Sequence, residues 1–311
     1  MNTQSNAIPE SFSESRAVAP VVISEAQRLY WLVRRELWEN RSIYIAPLAV
    51  AGLILFGFLI SVFHLPGKMR AALALSPMQQ HDLIEQPYTF AALFIMGISF
   101  IVAVFYCLDA LHGERRDRSI LFWKSLPVSD LTTVLSKASI PIVVIPLLSF
   151  AITVATQWVM LMVSSVVLLA SGLNVATLWR QVSLFQMSLM LLYHLLALHG
   201  FWYAPIYGWL LLVSAWVRRA VFLWAILPLV AIGVFEKIAF NTTHFAAMLS
   251  YRFMGGGESA ASSTPGHASI ASMTHPAPGD FLTSPGLWIG LVFAALCLAG
   301  AVRLRRYRGP I

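Results

Sequence analysis

Residues 90–111 read FAALFIMGISFIVAVFYCLDAL, and residues 112–130 follow directly as HGERRDRSILFWKSLPVSD. The first string carries a single charge, Asp109, close to its end. A helix rises about 1.5 Å per residue, so about 20 predominantly apolar residues cross the hydrocarbon core of a bilayer. The second string is charged, then amphipathic, then turned by Pro127, and a further long apolar run opens at Ile140. A polar helix-turn held between two membrane spans predicts a docking surface for a soluble partner.

Working outward with the same length criterion, spans are expected at 43–63, 90–111, 140–169, 184–213, 219–237 and 287–303. The composition agrees. The 311 residues are 58% hydrophobic and 11% charged, with a mean hydropathy of +0.73. Soluble domains carry about 25% charged residues. The fold class is therefore all-α integral membrane, with six transmembrane helices. The third and fourth spans are longer than a bilayer needs and contain Pro141, Pro146, Gly200, Pro205 and Gly208. Kinking, tilting or extension beyond the membrane is expected there.

The net charge of +7 and pI near 9.7 do not indicate nucleic acid, because the basic residues cluster at the ends of the apolar runs. With the N-terminus inside, the cytoplasmic set is Arg16, Arg28, Arg34, Arg35, Arg41, Arg115, Arg116, Arg118, Lys124, Lys137, Arg218, Arg219, Arg303, Arg305, Arg306 and Arg308. Only Lys68, Arg70, Arg180, Lys237 and Arg252 fall outside. Both termini are thus expected in the cytoplasm. Residues 1–23 read as a disordered cytoplasmic tail, and 24–311 as one membrane domain.

Residues 24–41 read as an amphipathic interfacial helix. Ser24 caps it with Gln27 in capping-box spacing, and Leu29, Leu32, Val33 and Leu37 share a face. The long outer loop between spans five and six opens with an apolar segment, 240–254, too short to span and suited to an interfacial or re-entrant position. Residues 255–279, rich in Gly, Ser, Ala and Pro, predict a flexible link. Cys107 and Cys297 both lie in apolar runs and read as buried free thiols.

Within the 112–130 segment, Glu114 and Arg118 are spaced to pair on a helix surface, and Ser129 or Asp130 can cap the next helix. In the third span Thr153, Gln157, Met160 and Ser164 recur on one helical face; Gln186, Met190, Tyr193 and Ala197 do so in the fourth. Two readings are open for this polar stripe: interhelical hydrogen bonding, or contact with a substrate along a path. His194 and His199 are five residues apart, about 140° around an α-helix, and are not expected to face one site. No phosphate-cradling Gly-x-x-x-x-Gly-Lys-Ser/Thr occurs, so no nucleotide site is expected in the chain. No catalytic, cofactor or metal residue is expected.

The layout resembles the membrane permease subunit of type-2 ATP-binding-cassette (ABC) transporters. The resemblance is carried by Glu114, the run Arg115–Arg118, Ser119, the segment 125–129 reading SLPVS, and Lys137. In that family this loop between spans two and three forms a coupling helix seated in a groove of a separate ATPase. The resemblance implies ATPase coupling through Glu114, Arg115, Arg116, Arg118, Ser119, Phe122, Trp123, Leu126, Pro127 and Ser129. The polar stripe, read from its helical spacing, gives the candidate substrate path: Thr153, Gln157, Ser164, Gln186 and Tyr193. The implied partners are an ABC ATPase subunit, which would hold ATP and Mg, and a second permease copy or paralogue in the lipid bilayer. No nucleic acid is expected. An exporter in a bacterial inner membrane is the expected setting. Ser119 stands where Gly or Thr is common in that family. The alternative is a non-transporting membrane scaffold or sensor that recruits a soluble cytoplasmic partner.

Overall fold

The computed structural model describes residues 24–72, 77–125, 128–253 and 282–308. The expected tail at 1–23, the 255–279 link, Leu126 and Pro127 lie outside the described residues. Among the described residues all regular structure is helical. In chain order the helices are α1 (Glu25–Glu39), α2 (Ser42–Ser61), α3 (Leu65–Ala72), α4 (Pro77–Ala110), α5 (His112–Arg116), α6 (Ser119–Ser125) and α7 (Asp130–Ser139). Then come α8 (Ile145–Ala170), α9 (Ala176–Gln181), α10 (Leu184–His194), α11 (Ala204–Trp216), α12 (Val221–Phe240), α13 (His244–Phe253) and α14 (Pro285–Tyr307).

Six stretches are long and apolar enough to cross a membrane: Ser42–Ala71, Leu83–Arg116, Asp130–Ala170, Leu178–Trp202, Val221–Phe240 and Pro285–Tyr307. This is the build of an all-α integral membrane protein. The expected fourth span, 184–213, needs correction. It is interrupted at Tyr203, where a π-helical segment over Leu195–Trp202 hands over to the short apolar helix α11. Pro205 lacks the N–H that would continue the ladder and so sits at the start of a new helix. Pro141 has the same effect in the third stretch, where Ile140–Val144 is π-helical between α7 and α8. The fifth helix starts two residues later than expected, because Arg218 and Arg219 belong to a turn closed by Ala220 at φ 55°.

The capping box at Ser24 forms. Gln27 N–H donates to Ser24 Oγ, and Ser24 N–H to Gln27 Oε1, each at 3.2 Å. The apolar segment after the fifth span folds as α13. Trp202 Nε1 and Tyr203 Oη donate to the carbonyls of Arg252 and Phe253, both at 2.9 Å. Arg252 lies over the Trp202 ring and donates to Gly286 O at 3.0 Å. Burial there holds its guanidinium below the ordinary value.

The core is built where α4, α7, α11 and α14 come together with the two π segments, and it encloses Tyr106, Cys107, Trp202, Tyr207 and Leu211. By contrast α12 buries only Ala225, and Phe222, Leu223, Leu227, Val230 and Phe235 point outward. Such an apolar exterior is suited to acyl chains.

α11 packs closely on α14. A Cβ added to Gly208 would lie 3.1 Å from Ala294 Cα and 3.2 Å from its carbonyl oxygen, both backbone atoms that cannot rotate away. Gly208→Val is therefore expected to lower the unfolding temperature of the purified protein in detergent. Gly97→Ala, which adds a methyl group to open space, should leave it unchanged or raise it. Intrinsic fluorescence melts compare the two, and equal melting of Gly208→Val and wild type would refute the close-packed contact.

Candidate functional site

The segment between the second and third spans is held by charges turned inward. On α1, Glu36 is the most buried residue, at 3% exposure. Its Oε1 accepts from Lys137 Nζ at 2.8 Å, and its Oε2 accepts from Tyr106 Oη at 2.9 Å. Lys137 Nζ also lies 3.2 Å from Glu114 Oε1, a coulombic contact without hydrogen-bond directionality. The other Glu114 oxygen accepts from Arg305 Nη1, and Arg305 Nε donates to Asp130 Oδ1 at 3.1 Å. One chain of alternating charge thus joins α1, α5, α7 and α14, with α4 attached through Tyr106.

A second set of bonds ties α5 to α11 by reciprocal capping. The N–H groups of Leu111 and His112 donate to Ser214 Oγ at 3.1 and 2.9 Å, serving the start of α5. In return Arg115 Nη1 donates to the carbonyls of Ala215 and Val217, at 2.7 and 3.3 Å, serving the end of α11. Each helix supplies what the other's terminus lacks.

The expected Glu114–Arg118 pair does not form. α5 ends at Arg116, and Arg118 takes a left-handed conformation at φ 59° that carries its side chain out of helical register. A buried carboxylate needs buried cations, and Glu114 finds Lys137 and Arg305 instead. Arg115 is also inside, at 3% exposure. Arg116 and Arg118 remain at the surface, the former beside Asp109 and Asp117. Ser119 Oγ donates back to the Glu114 carbonyl at 3.4 Å across the reversal.

On α6, Ile120 is the buried anchor, while Leu121 and Phe122 are 57% and 60% exposed. Trp123 lies under Arg35, whose guanidinium is 3.4 Å from the ring centroid. Ser129 caps α7, accepting from Thr132 N–H at 3.0 Å, which frees Asp130 for Arg305. Leu131 and Leu135 on α7 are exposed as well.

The polar stripe of the third span is buried at all four positions, and it divides by role. Ser164 Oγ donates to Met160 O at 2.8 Å and lies 3.4 Å from Tyr88 Oη, while Gln157 Nε2 donates to Tyr88 O at 3.2 Å. These bonds to Tyr88 join α8 to α4. Gln157 Oε1 and Thr153 Oγ1 have no partner among the described residues. Gln157 also lines a narrow cleft with Glu85, Met96, Met187, Met190 and His194. Its volume of about 50 Å³ has room for a few waters. Gln186 is exposed, and Tyr193 is half-buried with its hydroxyl unpartnered. Neither lines the cleft.

The expected separation of His194 from His199 also needs correction. Their ring centroids are 6.3 Å apart. The wider π turn brings residues five apart nearly onto one face, which an α-helix would not do.

Sequence reading missed Glu36, Asp130 and Arg305 as members of the ion chain that runs through Lys137 and Glu114, and Ser214 as a cap. A signal existed for two of them. Glu36 interrupts the apolar face formed by Leu32, Val33 and Leu37, and Arg305 extends the buried face of Gly290, Ala294, Cys297 and Ala301. A charge placed on a stripe that must be buried is a charge with a buried partner.

No protein-family model, curated protein or solved structure matches this chain.

Lys137→Met should destabilise the protein by about 3–5 kcal/mol, because it strands the buried Glu36 without a cation and leaves Glu114 with Arg305 alone. Arg116→Ala, at an exposed position, should stay within about 0.5 kcal/mol of wild type. Denaturant unfolding in detergent measures both, and a mild Lys137→Met would remove the ion chain from any structural role.

Proposed function

We propose that this protein is the membrane subunit of an ATP-driven transporter of the type-2 ABC kind, moved by a separate ATPase that docks on the 112–130 segment. The reading is supported chiefly by one observation. The segment is bolted inward by Glu114 and Arg115 to α1, α7, α11 and α14, while Arg116, Arg118, Leu121 and Phe122 face out. A loop built this way can carry force. Load applied to its outer face would pass through buried ion pairs into the third and sixth spans.

Roles within the segment divide accordingly. Arg116, Arg118, Leu121 and Phe122 would touch the ATPase; Glu114, Arg115, Ser119, Trp123 and Ser129 would keep the segment rigid. Two permease copies, or one with a paralogue, would enclose a path, and ATP-dependent docking would rock the spans between two states. Docking energy drives that change only if the ATPase binds the two states unequally. Exporter polarity, a bacterial inner membrane and cytoplasmic termini belong to the same proposal, the last on the Lys and Arg distribution. The weakly polar stripe of Thr153, Gln157 and Ser164, which carries no charged side chain, suits amphipathic cargo better than a small ion.

The combined variant Arg116→Glu, Arg118→Glu, Phe122→Ala is expected to fold normally and to lose co-purification of the ATPase encoded with it. Wild type should retain that subunit in mild detergent. Retention by the triple variant would defeat the docking proposal. Absence of any nucleotide-hydrolysing protein from the wild-type complex would favour the scaffold reading instead.

A further inference from the structure

Beside the ion chain lies a second charged feature that the transport reading does not use. Trp216 ends α11, the turn through Val217, Arg218, Arg219 and Ala220 reverses the chain, and α12 begins at Val221. Trp216, Val217, Arg218, Arg219 and Trp224, with Arg308 from beyond the end of α14, line an open cleft of about 630 Å³.

Its charge is one-sided. Three guanidinium groups line it and no carboxylate does. Among the described residues none of Arg218, Arg219 and Arg308 forms an ion pair, whereas Arg35, Arg116 and Arg305 each have a carboxylate. The negative end of α11, which would oppose an anion, is already occupied: Arg115 takes the carbonyls of Ala215 and Val217, and Arg308 takes that of Trp216. Ala220, left-handed at φ 55°, sets the two turn arginines beside the start of α12, which no side chain caps.

Its position is equally specific. Trp216 and Trp224 pack edge to face at 5.6 Å, the arrangement and residue type favoured at the headgroup level. Directly below, α12 turns Phe222, Leu223, Ile226 and Leu227 outward as an unbroken apolar surface. A ligand that satisfies both halves has an anionic head and a hydrocarbon tail.

We propose that this cleft is a binding site for an anionic phospholipid, with the headgroup phosphate between Arg218, Arg219 and Arg308 and the acyl chains along α12. A soluble acidic protein would meet the arginines but leave the α12 surface and the paired tryptophans without a role. Free phosphate would use the charge alone. The proposal is independent of transport, since it rests on none of the docking residues.

The test uses the full-length protein, delipidated in neutral detergent and titrated with phosphatidylglycerol or phosphatidylcholine, with bound lipid counted by native mass spectrometry. Wild type should hold phosphatidylglycerol as a discrete adduct and phosphatidylcholine much more weakly. Arg218→Gln with Arg219→Gln should weaken phosphatidylglycerol about thirtyfold, from the worth of two basic residues at a membrane surface. Arg303→Gln, an exposed arginine on α14 outside the cleft, should leave binding unchanged and so separates a site from general attraction to basic charge. Equal binding of the two lipids, or an unaltered Arg218→Gln, Arg219→Gln variant, would overturn the proposal. So would displacement of the adduct by millimolar inorganic phosphate, which would identify a free-anion site.

Discussion

Lys137 sits between two carboxylates, Glu36 and Glu114, in a place where water scarcely reaches any of the three. Bringing such groups out of water costs several kcal/mol per ion, and only close opposite charge returns that energy. The arrangement therefore tolerates little displacement. Moving α1, α5, α7 or α14 away from the others would leave a charge unpaired in a medium that cannot solvate it. Apolar packing in a membrane supplies no comparable restraint, since lipid chains solvate Leu and Phe as well as a neighbouring helix does. The ion chain is consequently what fixes the relative position of the N-terminal helix, the loop after the second span, the third span and the last one.

Reciprocal capping between α5 and α11 extends the same logic to backbone groups. Ser214 and Arg115 lie 99 residues apart in sequence, in α11 and α5, and each completes the other helix's end. With the charges engaged inward, the remaining outward residues of the loop are those whose loss the fold can tolerate. That division gives the proposed docking surface its chemical identity: two arginines flanked by an exposed leucine and phenylalanine.

How much of this could be read beforehand follows from the range of the interactions. Long apolar runs announce spans because the bilayer imposes a length, and all six are found, with boundary errors where prolines alter the ladder. The capping box at Ser24 was legible because it involves residues three apart. The ion chain was not, since Glu36 meets Lys137 across 101 positions and Glu114 meets Arg305 across 191. Periodicity shows which face a charge occupies but not what it meets. The Glu114–Arg118 expectation failed for the complementary reason: spacing implies a pair only where the helix continues, and α5 stops too soon. Likewise the two histidines of the fourth stretch looked unrelated because α-helical geometry was assumed through a segment that is wider.

Those wide turns touch. A Cβ on Gly200, in the second π segment, would come within 3.3 Å of the carbonyl of Ile142 in the first, so the two π-helical backbones pack directly on each other. A π turn accommodates an extra residue, and tightening it back to α geometry rotates everything beyond by roughly 100°. The molecule thus contains a joint made of surplus backbone, placed between the clamped charges on one side and the methionine-walled cleft on the other. A one-residue change of register at either π turn would rotate α8 or α10, and with it the Gln157 or Met187 side of that cleft.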